Sequence, residues 1–421
     1  MWRAIIQTGF WPGLNRKTTL NALAKFMILA GCLTLAACAS SGGSTSSGRY
    51  TPSSPSYTPP AQRVSQGHVV DYRQVSGWGY HDPRPALTSF LQSCTYIVRR
   101  NPSDPLSPNT PYAGRIGDWL DICAAAQALS YGAVSEADAR TFFEDHFTPV
   151  ELGGEGKLTG YYEPIIDVRS QPDSEYSMAI RAVPGDLFSG DVGQLIAGLD
   201  QGYDPYSEKT ADVGPRGDIE SYDLGAPLAW GHPIDVFFLQ VQGSGRLRFE
   251  DGREARAAFA AHNGYSYVSI GRVLINRGEL DPHRASKQDI ENWLWARGPS
   301  AWRDLFNENP RYVFFRLIPI DNHDLGPVGA QGVPLTPLAS LAVDRNLYPL
   351  GAPIWIESDL AEAPNWTGLV IAQDAGGAIT GPLRGDMFYG WGEAAERRSG
   401  RQNAQARWTI FLPHHLARRI S

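Results

Sequence analysis

Between Val236 and Leu412 the chain carries a succession of short runs rich in β-branched and aromatic residues. They are Val236–Gln242, Tyr312–Ile318, Leu338–Val343, Pro353–Glu357, Gly368–Gln373 and Trp408–Leu412, each bounded by Gly, Pro or Asp. Runs of that length and punctuation read as strands. Helical patterns are fewer and lie early or in the middle: Leu87–Val98, Ile116–Leu129, Glu136–His146 behind a Ser135-x-x-Asp138 capping box, and a segment from Ser286-x-x-Asp289 to Ala296 stopped by Gly298-Pro299. Helices first and strands last predict a mainly β or α+β chain with a barrel or sandwich at its C-terminal end.

Ahead of this region lies an address. A basic stretch with Arg3, Arg16, Lys17 and Lys25 is followed by an apolar run, Phe26–Ala37, ending in Leu35-Ala-Ala-Cys38. The run is shorter than the roughly 20 residues a membrane span needs, as in an export signal. Its end resembles the lipobox of bacterial lipoproteins, which implies cleavage before Cys38 and a lipid on its thiol. Ala39 after the cysteine points to the outer membrane. Residues 40–66 are mostly Ser, Gly, Thr and Pro, a flexible tether with a mean reach of about 30 Å. Without residues 1–37 the chain keeps 33 basic and 44 acidic residues, a net charge of −11. So acidic a protein lacks the basic footprint of nucleic-acid binding. After export Cys94 and Cys123 remain, a pair that an oxidising compartment would join, with two separate buried thiols as the alternative. Neither H-E-x-x-H nor C-x-x-C occurs, and no metal site or cofactor is expected.

Three aspartates stand at strand ends beside Gly or Pro: Asp344, Asp374 in Asp374-Ala-Gly-Gly377, and Asp386 in Arg384-Gly-Asp386-Met-Phe. Gly376 and Gly377 permit a sharp turn with positive φ beside Asp374. Partly desolvated acids near one another raise each other's pKa, which is how a carboxyl stays protonated for general-acid work. Capping a turn is the ordinary role of such residues, and the sequence alone leaves both readings open. Tyr161, Tyr162, Tyr265, Tyr267, Trp355, Tyr389 and Trp391 flank Gly-rich turns and could stack on sugar rings or simply fill the core. Gln242-Gly-Ser-Gly245 lacks the first Gly of G-x-S-x-G, and Arg248 replaces the third Gly of G-x-G-x-x-G, so a serine hydrolase or dinucleotide enzyme is not indicated.

Taken together, Gly160-Tyr-Tyr-Glu-Pro164, Phe237-Phe-Leu-Gln-Val-Gln-Gly-Ser-Gly-Arg246, Asn263-Gly-Tyr-Ser-Tyr267, Ser269-Ile-Gly-Arg272, Asn309-Pro-Arg-Tyr-Val-Phe-Phe-Arg316, Pro334-Leu-Thr-Pro337, Pro349-Leu-Gly-Ala-Pro353 and the three Asp segments resemble the membrane-bound lytic murein transglycosylases of the A type, from about Tyr80 to Pro413. The resemblance implies an α+β, mainly β fold: a double-psi β-barrel built from residues 68–164 and 263–421, a smaller β domain inserted at 165–262, and a glycan groove between them. The charged, Gln-containing stretch Glu393–Arg407 departs from the Gly-rich sequence usual there.

The resemblance further implies an enzyme that cleaves the β-1,4 bond between N-acetylmuramic acid and N-acetylglucosamine in peptidoglycan and leaves 1,6-anhydromuramyl ends. Asp386 would be the acid/base, Asp374 its partner and Asp344 a supporting residue. Tyr162, Gln240, Gln242, Ser244, Gly376 and Gly377 would contact substrate. The protein would work without cofactor or metal, as a monomer on the periplasmic side of the outer membrane, held to the membrane through Cys38. Wall-remodelling enzymes often join wall-synthesis proteins, but nothing in the chain marks a docking surface and the sequence names no protein partner. The rival readings are a hydrolytic glycosidase on the same barrel and a non-catalytic peptidoglycan-binding lipoprotein.

Overall fold

The structure is a computed structural model that describes residues 67–185, 188–189, 209–282, 285–320 and 322–420. The signal run Phe26–Ala37, Cys38 and the tether 40–66 lie outside the described residues.

After a short β1 (His68–Val69) the chain forms helices Arg84–Ile97, Gly117–Leu129 and Glu136–His146. Ser135 and Asp138 make the reciprocal bonds of a capping box at the start of the third. A disulfide between Cys94 and Cys123 joins the first two. Phe90, Trp119 and Phe142 from these helices meet Phe147, the first residue of β2 (Phe147–Glu163), in one aromatic cluster. Burying such rings supplies much of the apolar stabilisation that holds helices to sheet.

The chain then leaves for a second sheet. Its strands are β3 (Ile165–Arg169), β4 (Met178–Arg181), β5 (Phe188–Ser189), β6 (Thr210–Ala211), β7 (Pro227–Gly231), β8 (Gly245–Phe249), β9 (Glu254–His262) and β10 (Val313–Ile318). They run in the order β4-β7-β3-β8-β9-β6-β5, with β10 paired to β9. This sheet therefore extends past the expected limit at His262. Helices Ile270–Asn276, Lys287–Arg297 and Pro299–Asn307 precede β10 and pack on helix Pro233–Gln242, where Phe306 stacks on Phe237 at 4.2 Å. Ser286 and Asp289 again form a capping box.

Helix Pro233–Gln242 corrects the expectation of a strand over Val236–Gln242. The local signals there were helical. His232 caps the first turn with its imidazole, Pro233 sits at the first helical position, and Gly243 ends the helix with φ 82°. Its run of apolar residues is buried on several faces, which hides the helical period.

Returning from the second sheet, the chain adds β11 (Ser340–Val343), β12 (Pro353–Leu360), β13 (Ala363–Asp374), β14 (Arg384–Trp391) and β15 (Asn403–Pro413). These close a six-stranded barrel in the order β2-β14-β11-β13-β12-β15, with β15 pairing back to β2. β2 runs parallel to β14 and β11 parallel to β13, while the remaining neighbours are antiparallel. The fold is thus a closed barrel with a second β unit and a minority of helices, as the sequence implied. A Cβ at Gly156 would lie 1.9 Å from the Leu383 carbonyl oxygen, so only glycine lets β2 pass the chain entering β14.

A buried charge cluster fastens the two β units. Glu163, at the end of β2, is fully buried and accepts from Arg246 Nε of β8 at 2.9 Å and from Arg256 Nε of β9 at 2.5 Å. Both guanidinium groups also donate to the Leu325 carbonyl on the returning chain, and Arg246 lies over the Trp391 ring. A carboxylate so deep in protein is tolerable because two guanidinium cations donate to it, while the Leu325 carbonyl takes guanidinium hydrogens that the carboxylate leaves over.

Candidate active site

β11 lies between β13 and β14, and the registers place Ala342 opposite both Asp374 and Asp386. The two acids therefore flank one residue at the same end of the barrel. Two strand spacings put their backbones about 10 Å apart. Asp386 is half-buried. One carboxylate oxygen, Oδ1, accepts from Thr159 Oγ1 at 2.5 Å, across the parallel β2–β14 pair. Desolvation pushes its pKa up to about 6; the charge of Asp374 adds to this, while the Thr159 bond and Arg384 oppose it.

Asp374 is more fully engaged. Its Oδ2 accepts from the Tyr161 hydroxyl at 2.7 Å, and its Oδ1 from the N–H groups of Ala330 at 2.8 Å and Ala375 at 2.9 Å. Burial still raises its pKa. The Tyr161 hydroxyl is pushed upward as well, first by burial and then by Asp374. Asp344 does different work. It accepts from Asn346 N–H at 3.0 Å and Gly381 N–H at 2.8 Å, which is the behaviour of a residue that caps a turn and ties down a loop.

Two adjoining cavities run along this end of the barrel, of about 250 and 450 Å³. Asp386, Arg384 and Tyr267 line the smaller, Asp344, Ser244 and Tyr265 the larger. Tyr161, Gln240, Gln242, Arg311 and Asp374 form the wall they share. Gly376 and Gly377 line both. Neither glycine has positive φ, contrary to the turn expected there. What they supply is room: a Cβ on Gly377 would meet the Arg311 guanidinium carbon at 2.9 Å.

Gln240 lines both cavities but is only 5 % exposed, and its buried amide lies beside the Tyr312 hydroxyl. Gln242 accepts from Tyr162 N–H at 3.2 Å, which ties the helix end to β2.

Among the candidate substrate-contacting residues, Tyr162 is turned away. Side chains alternate along a strand, so Thr159 and Tyr161 face the acids while Tyr162 joins Leu158 in the main core. The Tyr162 hydroxyl lies with Lys287 and Glu396 instead. Trp355 and Tyr389 are also core residues, and Trp391 lies beneath Arg246. Thr159, Arg311 and Arg384 are site residues that composition and motif reading did not single out. The period of two through Thr159-Gly-Tyr-Tyr162 was the signal that could have separated Tyr161 from its neighbour. No group of three or more metal-ligating side chains occurs among the described residues.

Residues 157–316 match the family described as "MltA specific insert domain", and residues 339–412 match the "3D domain". The sequence is 31% identical over 310 residues to membrane-bound lytic murein transglycosylase A of Vibrio cholerae, spanning 68% of this chain and 75% of that protein. It is 32% identical over 269 residues to the Escherichia coli K12 protein of the same name, spanning 61% and 66%. The structure resembles a membrane-bound lytic murein transglycosylase of Agrobacterium tumefaciens with a TM-score of 0.72 and 30% identity, covering 84% of this chain and 99% of that one. It also resembles E. coli MltA with bound chitohexaose, with a TM-score of 0.57 and 26% identity over 78% and 90% of the two chains.

Proposed function

The chain belongs to the MltA family of membrane-bound lytic murein transglycosylases, and from that premise we infer that it cleaves peptidoglycan glycan strands with Asp386 as its one acid/base. The carrying observation is the Asp386 carboxyl itself. It stands in the wall of a cavity, one oxygen fixed by Thr159, with its proton retained up to about pH 6.

In the first step Asp386 protonates the glycosidic oxygen that leaves on N-acetylglucosamine, and the bond from that oxygen to C1 of N-acetylmuramic acid breaks. The C6 hydroxyl of the same muramyl residue forms the new bond to C1 and gives its proton to the Asp386 carboxylate. The acid is thereby regenerated, and the product is a 1,6-anhydro sugar with no water consumed. An internal nucleophile brings the advantage of a reactant already in place. Hydrolysis would need a second carboxylate free to activate water. Asp374 has both oxygens taken up by Tyr161, Ala330 and Ala375, and Asp344 is occupied with loop N–H groups. That engagement favours the one-acid route.

Asp374 serves as the electrostatic neighbour that helps keep Asp386 protonated. Gln240, Gln242 and Ser244 line the groove and hold acetamido or hydroxyl groups of the glycan. Cys38 carries a lipid that holds the protein at the periplasmic side of the outer membrane, and residues 40–66 let the enzyme reach the wall. Mass spectrometry of muropeptides released from purified sacculi tests the reading. Anhydromuramyl ends that vanish in Asp386→Asn are expected. Reducing muramyl ends would instead make the protein a hydrolase, and binding without release would make it a wall-binding lipoprotein.

A further inference from the structure

The helix that carries Gln240 and Gln242 belongs to a layer with its own core. Ile234, Phe237 and Phe238 of Pro233–Gln242 pack with Ile270, Trp293 and Phe306 from the three helices that precede β10. Only the far end of this helix reaches the groove, where Gln240 and Gln242 line both cavities. The opposite wall is the barrel, whose strands carry Thr159, Tyr161, Asp374 and Asp386. A groove assembled from two separately packed parts keeps its width only if something holds them in register.

One lysine makes such a connection. Lys287, the first residue of its helix, pairs with Glu291 one turn on at 2.8 Å and with Glu396 of helix Gly392–Ser399, which follows β14. The Tyr162 hydroxyl of β2 bonds both Lys287 and Glu396. The same ammonium lies 4.9 Å from the centre of the Phe238 ring, on the groove helix itself. Two elements of the barrel unit and two of the helical layer thus converge on one nitrogen atom. Burial works against its charge, but Tyr162, Glu291 and Glu396 outweigh burial and raise its pKa, so the ammonium keeps its proton. Lys287 and Glu396 are both half-buried, which limits screening by water and salt. Tyr162 adds a backbone link, since its N–H donates to Gln242 Oε1 at 3.2 Å.

We propose that Lys287 and Glu396 are positioning residues for glycan binding, whose ion pair sets the width of the groove by docking the Gln240–Gln242 end of the helix against the barrel. The proposal rests on the glycan reading of the groove. Neither residue lines either cavity, so their influence on substrate passes through Tyr162, Phe238 and the helix between them.

The test uses the mature, full-length protein as Lys287→Met, Glu396→Gln, the two combined, and Lys287→Arg. Amide hydrogen exchange read by mass spectrometry needs no substrate. In both single variants, peptides covering 160–163 and 233–242 should exchange about tenfold faster, while those of β11 to β13 keep wild-type rates. On sacculi KM should rise about tenfold with kcat within about twofold, because pre-organisation for binding is lost and the acid is not. The alkaline limb of kcat/KM should stay at its wild-type position. The double variant should be no worse than the worse single one, as expected of two residues that act through one contact. Lys287→Arg should recover most of the loss, since it keeps the charge. Pelleting with sacculi in an Asp386→Asn background reads binding without turnover, so failure of the catalytic reading is seen separately. Faster exchange with unchanged KM and unchanged pelleting would make the pair a purely structural contact and overturn the proposal. Wild-type exchange in both segments, or additive effects in the double variant, would overturn it too. Should Lys287→Met fail to fold, Glu396→Gln, at the more exposed position, carries the same test with Glu396→Asp as its conservative partner.

Discussion

Thr159 Oγ1 donates a hydrogen bond to Asp386 Oδ1 at 2.5 Å, and the two residues are register partners on parallel strands. One oxygen of the acid is thus fixed by the barrel, leaving the other for the substrate. This bond favours the ionised form and works against burial, which sets the proton affinity. In Thr159→Val the alkaline limb of kcat/KM should therefore move to higher pH, while the plateau falls about tenfold because the carboxyl is no longer oriented. In Asp374→Asn a charge that raises the Asp386 pKa is removed, and the limb should move to lower pH. Two pH–rate profiles check both signs, and movement in the same direction would refute the account.

Activity of the wild-type enzyme should decline as pH rises through about 6, where Asp386 loses the proton it must donate. Stability carries the same signature. The folded-state pKa lies above the unfolded value of about 3.8, so the contribution of Asp386 to folding is fully present below about pH 4 and is lost as pH rises through about 6. Asp386→Asn should abolish activity yet stabilise the protein at pH 7 by about 2 kcal/mol relative to pH 4, a figure that allows for the half-buried carboxyl. Denaturant melts of the two proteins at both pH values measure it.

Glu163→Gln leaves Arg246 and Arg256 buried without a counter-charge. Breaking a buried ion pair from one side costs about 3–5 kcal/mol. Thermal melts should show a clearly lower midpoint, and activity should fall even where the protein remains folded, because this cluster joins the two β units that wall the groove.

Gly377→Ala isolates a steric effect. The new methyl would lie 2.9 Å from the Arg311 guanidinium carbon, the mobile end of a long side chain. The arginine can shift at small cost, so stability should change by less than about 1 kcal/mol. The glycan-binding wall would nevertheless be altered, and KM should rise several-fold. An unchanged KM would mean that Arg311 does not contact substrate.

The disulfide between Cys94 and Cys123 closes a separation of 29 residues. A chain-entropy estimate for such a loop is about 3–4 kcal/mol. Cys94→Ser with Cys123→Ser should melt earlier by the corresponding amount. Its turnover at 25 °C should be close to wild type, since the bridge lies between helices outside the groove.

The parts of this molecule legible in the sequence are those governed by local chemistry. Ser135 and Ser286 announce their helices because a capping box is contained within four residues. Asp374 and Asp386 stand out because glycine and apolar runs surround each. Helix Pro233–Gln242 was hidden because burial on several faces erased its period, although Pro233 and Gly243 marked both ends. Tyr161 and Tyr162 fall on opposite faces by simple alternation, but which of the two faces meets the acids follows only from the pairing of β2 with β14. The Thr159–Asp386 bond spans 227 positions, and Glu163 meets arginines 83 and 93 residues away. Such contacts exist only once the parallel register of β2 and β14 is known, and no local pattern encodes it.

The closure of the barrel by β15 on β2 also governs how the chain must assemble. β2 is complete at Glu163, but its hydrogen-bonding neighbours β14 and β15 are supplied by residues 384–413. Every strand of the second sheet is complete by Ile318 and can pair while β2 still waits. A nascent or partly threaded chain therefore presents a long strand that only β1 covers, near Val150 and Glu151, with the rest of both edges open, the kind of surface that recruits other chains. Pairing partners so distant in sequence make this a slow step. Loss of β15 would leave the ring unclosed and Asp386 on a sheet whose edges are bare, so the site comes into being only after residues 403–413 have joined β2 and β12.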